Sequence, residues 1–261
     1  FILLFFPLCL LGFWGLKRQK LLQLWLIAFS LWFYGAASPY YLLLLLGSIA
    51  WNYAFFCAIE RVPGDAVERS EHGKERDSSR KRLLLGIGIA GNLALLCFFK
   101  YFNAISAGWS QMKGLEDPIL QLALPLGISF FTFQQIGFLA DAYKGEVGAC
   151  SLREYVLFVS FFPYVSSGPI VNAQEMLPQY RQIGRQRLNW EKFAGGLYLF
   201  ALGLSKKVLL ADIFGKAVDA GYGNVAGLSG TDAWLVMLFY TLQLYFDFSG
   251  YCDMGRGIAH M

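Results

Sequence analysis

The sequence predicts an all-α polytopic transmembrane protein in which some helices are broken or re-enter the membrane, and three observations carry that class. Hydrophobic residues make up 56% of the chain and charged residues 15%, against roughly 45–50% and 25% in soluble domains. Apolar runs near the roughly 20 residues needed to cross a bilayer as a helix recur along the chain. None of these runs shows the strict alternation of a membrane barrel strand.

The first span is 1–16, followed by 21–37, 40–59 and 83–102. The opening run lacks a basic start and a small-residue cleavage site, and more spans follow it, so it reads as a span and not a signal peptide. Between the third and fourth spans, Arg61 to Arg82 holds seven Lys/Arg and five Asp/Glu around Pro63, Gly64 and Gly73, which predicts a charged, solvated cytoplasmic loop over 60–82. His72 falls in that loop as an exposed, chemically idle residue. Lys17, Arg18 and Lys20 lie two spans away from it, so both basic clusters share one face, and the positive-inside rule makes that face cytoplasmic. Asn103 to Asp117 then reads as an outer loop.

Three further apolar runs, 119–140, 152–171 and 193–214, contain Pro125, Gly127, Pro163, Gly168, Pro169, Gly195, Gly196 and Gly203. They read as broken segments, and at least one re-enters. Otherwise Arg181, Arg185, Arg187 and Lys192 would lie outside, and irregular backbone at membrane depth needs cover from protein or a water-filled cavity. A last span covers 231–252. The apolar start at Phe1 and the uncapped helical end at Met261 give the expectation of a fragment.

The net charge of +4 is a property of the 60–82 region and no nucleic-acid signature. Five cysteines, Cys9, Cys57, Cys97, Cys150 and Cys252, are scattered without metal or disulfide spacing. No P-loop, GxGxxG, GxSxG or HExxH motif is present, which removes the commonest soluble-enzyme classes.

Chemistry concentrates in four stretches. "GLSKKVLLAD" sets Lys206 and Lys207 inside an apolar run, where each would cost about 2.5–3.5 kcal/mol facing lipid. Either they line a cavity, or the run is two short pieces meeting at the membrane surface with both amines snorkelling. In "YTLQLYFDFSGYCDMGRGIAH", Asp253, Arg256 and His260 share one helical face and Asp247 points elsewhere. That face is either part of a polar cavity or an Asp253–Arg256 ion pair with His260 at the helix end. "LPLGISFFTFQQIGFLADAY" and "FFPYVSSGPIVNAQEM" place Gln134, Gln135, Asp141, Ser166, Ser167, Asn172 and Glu175 beside Pro-Gly breaks, where satisfying freed backbone groups is the leading role.

These four stretches, taken in chain order and most specifically at Leu124 to Phe133, Phe161 to Ile170, Lys206 to Asp212 and Gln243 to Met254, resemble the membrane-bound O-acyltransferase family, in its bacterial polysaccharide branch typified by alginate O-acetyltransferase and more distantly the D-alanyl transferases of teichoic acid. The resemblance implies a ring of helices around a central tunnel, and transfer of an acyl group from a cytoplasmic-side donor, acetyl-CoA or an acyl-carrier, to hydroxyls of an extracytoplasmic polysaccharide. It also implies a bacterial inner-membrane location, contact with membrane lipid and a periplasmic or membrane acetyltransferase partner protein, with neither a bound cofactor or metal nor nucleic acid. The family's catalytic histidine follows an arginine–tryptophan pattern well beyond "FDFSGY", so His260 does not match it and no catalytic residue can be carried over. Lys206, Lys207, Asp247, Ser249, Tyr251 and Asp253 are the candidates for lining the tunnel or substrate route. Tyr164, Asn172, Cys252 and Arg256 depart from the family's usual residues. A transporter and a noncatalytic membrane subunit that docks a partner are the competing readings.

Overall fold

The computed structural model describes residues 4–62, 71–113, 122–166, 168, 171–183 and 189–261, with backbone alone over 71–78. Among them every regular element is helical. Two compact units form, one holding α1 (Phe5–Gly15), α2 (Gln19–Ala37), α3 (Pro39–Arg61), α4 (Glu71–Met112), α5 (Ile128–Lys144), α6 (Leu152–Ser160) and α7 (Ala173–Gln182). The other holds α8 (Trp190–Ser205), a π-helical turn (Lys206–Ala211), α9 (Asp212–Gly223) and α10 (Gly230–His260). Three helical stretches, Gln19–Ala37, Pro39–Arg61 and Ser79–Met112, are long and apolar enough to cross a membrane.

In the first unit the helix boundaries follow local chemistry. Pro39 at the first turn of α3 holds the preceding Ser38 extended, at φ −161° and ψ 108°, which ends α2. Gly127, at φ 66°, turns the chain into α5, and a β-carbon there would sit 2.0 Å from the Val165 carbonyl oxygen, so this turn needs glycine on both counts. The Ser151–Glu154 capping box starts α6.

Packing is aromatic and close. Gly12 lies against the Trp25 indole, whose Nε1 donates to the Cys9 carbonyl at 3.2 Å, and Gly91 lies under Trp51. Phe131, Phe138, Leu139, Tyr155 and Phe158 from α5 and α6 are almost wholly buried with Phe56 of α3.

Two expected loops are helix instead. α4 begins at Glu71, so 71–82 continues the helix outward, and Asn103 to Met112 extends it at the other end. Lys, Glu and Arg are good helix formers, and a helix of 42 residues is about 63 Å long, roughly twice the apolar thickness of a bilayer. Its charged start and its uncharged far end, Asn103 to Met112, therefore run past the apolar layer without having to unwind. The remainder of the two expected loops, and the His72 side chain, lie outside the described residues.

Candidate functional site

The second unit is organised by a glycine seam. Gly196 and Gly203 of α8 face Gly257 and Gly250 of α10: a β-carbon on Gly196 would fall 2.7 Å from the Gly257 oxygen, and one on Gly203 would fall 2.5 Å from the Gly250 oxygen. The two pairs repeat with the same seven-residue spacing in both helices, so the backbones touch along the seam. Read as sequence, these glycines predict a break in 193–214. The break does not occur, because α8, the π turn and α9 run on as continuous helix from Trp190 to Gly223.

The π turn begins at Lys206 and carries both lysines. Its wider winding changes the angle between successive side chains, and such turns often mark functional positions. Lys206 Nζ donates to Asp253 Oδ2 at 2.6 Å and to Ser249 Oγ at 3.0 Å. Lys207 Nζ pairs with Asp247 at 2.6 Å and with Asp212 at 2.9 Å. The seam makes this reach possible, since a β-carbon on Gly250 would lie 3.3 Å from the Lys206 Cβ and the Lys207 nitrogen.

The lysines thus differ in setting. The Lys206–Asp253 pair is mostly sheltered, at 27% and 16% side-chain exposure, whereas Lys207, Asp212 and Asp247 are 41%, 49% and 52% exposed. Beside the second group lies a groove of about 180 Å³ lined by Lys207, Leu244, Asp247, Phe248, Tyr251 and Met254.

All six predicted site residues therefore gather at one junction. Asp253 takes Lys206 as its partner, not Arg256 in its own helix as the ion-pair reading expects. His260 is exposed in the last turn of α10 beside Gly196, and among the described residues no hydrogen bond or ion pair joins it to Asp253 or Arg256. Asp212, which closes the "SKKVLLAD" stretch, is the second partner of Lys207 and the one member of the junction that sequence reasoning misses; its spacing of five from Lys207 is the signal. Chemically the junction holds and orients. Three carboxylates face two ammonium groups, Ser249 accepts from Lys206 and has no histidine beside it, and among the described residues no group of three His, Cys, Asp or Glu could hold a metal.

In the first unit Gln134 serves the backbone near a break, whereas its neighbour Gln135 is held by side chains. Gln134 Nε2 donates to the Phe158 carbonyl at 2.9 Å, and the Tyr164 hydroxyl donates to the same oxygen at 2.7 Å while sharing a 2.7 Å hydrogen bond with Tyr180. Gln135 is held by Ser48 and Tyr155 at 2.9 and 3.1 Å. Outside the candidate spans, burial raises the Glu154 carboxyl, but hydrogen bonds from Arg181 and Ser151 outweigh it and leave its pKa below the ordinary carboxylate value.

The membrane-bound O-acyltransferase (MBOAT) family model matches residues 80–260, and the chain belongs to that family of membrane proteins. Both lysines and all of α10 fall within the match.

Among its relatives, a peptidoglycan O-acetyltransferase of Helicobacter pylori is 38% identical over 288 residues, covering 99% of this chain and 52% of that protein. A probable alginate O-acetylase AlgI of Pseudomonas putida is 34% identical over 267 residues, covering 100% and 51%. A teichoic acid D-alanyltransferase of Lacticaseibacillus rhamnosus is 27% identical over 144 residues, covering 52% and 36%. The chain spans about half the length of the first two relatives.

Proposed function

We propose that this chain forms part of a multi-pass inner-membrane enzyme that moves an acetyl or related acyl group from a cytoplasmic-side donor, acetyl-CoA or an acyl-carrier, to hydroxyls of an extracytoplasmic polysaccharide. The observation that carries the reading is the junction itself: two lysines, two helices and a glycine seam fixing a polar lattice inside the family-matched region. The names of the relatives, which act on peptidoglycan, alginate and teichoic acid, support a cell-envelope glycan or related polymer as acceptor.

An alcohol is a weak nucleophile near neutral pH, so transfer calls for a base that takes its proton as the oxygen attacks the acyl carbonyl, worth about 10²–10⁴-fold. The donor's leaving group then departs with a proton. Donors aimed at the developing oxyanion add to the rate. In this reading the base is a histidine outside the junction, whose own residues include no imidazole. Lys206, Asp253 and Ser249 keep α8 and α10 in register along the polar passage, with Lys207, Asp247 and Tyr251 on its open side. A separate acetyltransferase protein serves as partner on the far face.

The test uses the complete protein in a host lacking its own envelope O-acetylation, with ester-linked acetate on the glycan as readout. The wild type restores acetate, and Lys206→Met lowers it at least tenfold at equal membrane abundance. Undiminished acetate in that variant removes the junction from the reaction, and no acetate from the wild type on any envelope glycan sinks the acceptor class.

A further inference from the structure

Outside the junction, one face of α4 carries a feature that acyl transfer does not use. Ser79, Arg82, Leu83, Gly86, Ile87 and Ala90 line a shallow trough of about 470 Å³, and each lies three or four residues from another of the set, which puts them on one helical face. This is the outward face of the helix: Leu83 is 64% exposed and Ile87 44%, while on the opposite side Gly88 packs against Leu139 and Phe55. A β-carbon on Gly86 would meet nothing within 4 Å, so the missing side chain leaves real space in the trough floor.

The trough has a charged head and an apolar body. Its upper end is basic, at Arg82, and the apolar run of α4 begins at the next residue, Leu83. Among the residues whose side chains are described, none forms an ion pair or hydrogen bond with the Arg82 guanidinium, and Arg80 and Lys81 add positive charge close by. From Arg82 to Ala90 the helix rises about 12 Å, all of it lined by apolar or small residues. A second protein helix on this face would have to bring a carboxylate to Arg82 at the membrane edge. A phospholipid supplies both parts at once, with an anionic headgroup against the guanidinium and an acyl chain laid over Gly86 and Ala90.

We infer that this trough is a binding site for an anionic phospholipid, with Arg82 as the headgroup contact and Leu83, Gly86, Ile87 and Ala90 as the chain contact. The site shares no residue with the lysine junction and acts to seat α4 at a defined depth in the leaflet on its basic side.

The experiment uses the full-length protein purified in detergent and charged with phosphatidylglycerol or phosphatidylcholine of the same chains, with bound lipid counted by native mass spectrometry. The wild type retains phosphatidylglycerol over phosphatidylcholine by about fivefold, the factor expected of one cation near an anionic headgroup. Arg82→Gln brings that ratio close to one and leaves phosphatidylcholine retention in place. Gly86→Leu fills the floor without a clash for its β-carbon, removes a helix-weakening glycine and lowers retention of both lipids severalfold. Unchanged preference in Arg82→Gln, unchanged retention in Gly86→Leu, or no lipid retention by the wild type each overturns the assignment.

Discussion

In the α1–α7 unit, departures from helix are met by side chains reaching in from other helices. The Tyr34 hydroxyl donates to the Leu126 carbonyl at 2.8 Å, Asn103 serves both the nitrogen and oxygen of Leu122, and Ser30 accepts from the Phe162 nitrogen at 3.2 Å. The α8–α10 unit is built the other way. Its long helices hardly break, their backbones touch at glycines, and the polar contacts across them are charged pairs at a π turn. Both arrangements answer the same demand, that backbone and polar groups be satisfied in an apolar setting. The first does so by covering irregular backbone, the second by bringing regular backbone so close that lysines reach carboxylates across the gap.

The comparison breaks most readily at the seam. Gly203→Leu would push a side chain into the Gly250 oxygen and the Met254 nitrogen, both within 2.7 Å of a new β-carbon. Backbone cannot yield as a side chain can, so the loss should reach or exceed the about 1–3 kcal/mol typical of overpacking. Thermal unfolding in detergent should register it as a larger drop than removal of either lysine causes. A Gly203→Leu protein with wild-type stability would show that the two helices are not held by contact at these glycines.

A second break lies in the first unit, where Asn52 and Asn92 exchange hydrogen bonds at 2.6 and 3.0 Å in full burial, each also donating to a carbonyl one turn back. Asn52→Leu leaves the Asn92 amide short of a partner and should cost about 1–3 kcal/mol. Replacing both by leucine should recover much of the loss, because no unmet polar group is then left behind. A double variant worse than the single would mean that shape at this crossing matters more than amide pairing.

How far the sequence foretells these arrangements depends on what kind of signal each leaves. Long apolar runs announce α2, α3 and the inner part of α4, since composition alone decides them. The break before α5 is also legible, because Pro125 and Gly127 carry conformational constraints of their own. Glycine at 196 and 203 reads as a breaker when it is a contact, and only its match to the spacing of 250 and 257 separates the two meanings. The start of α4 reads as loop because charge density signals solvation, and a helix can be solvated; Asn103 to Met112 reads as loop because the apolar run 83–102 stops short of it. That Lys206 and Lys207 meet Asp253 and Asp247 is half visible: the residue types stand out, but their pairing depends on a π turn for which no composition rule exists.

Within the second unit, the two lysines sharpen the comparison at smaller scale. Lys206→Met strands the Asp253 carboxylate, which keeps only 16% exposure, and should cost about 1–2 kcal/mol, less than the about 3–5 of a fully buried pair because water still reaches it. Lys207→Met frees two half-exposed carboxylates and should cost under about 1 kcal/mol. Equal losses would mean that the sheltered and open pairs do the same structural work.

The smallest effect belongs to the clamp on the outer edge of α6 and α7, where Arg181 Nε donates to Glu154 Oε1 at 2.9 Å and Nη2 also reaches the Ala149 carbonyl. Arg181 is 43% exposed, so Arg181→Gln should cost about 0.2–1 kcal/mol. The sign of its pH dependence follows from the lowered Glu154 pKa. A carboxylate held below its unfolded value adds stability that is present above that unfolded value and is lost as pH falls through the lower folded one. Removing Arg181 takes away the leading interaction that lowers Glu154, so the variant and wild type should converge in stability in acid and separate toward neutral pH. A gap that stays constant across that range would assign the effect of Arg181 to its bond with the Ala149 carbonyl and not to the charge on Glu154.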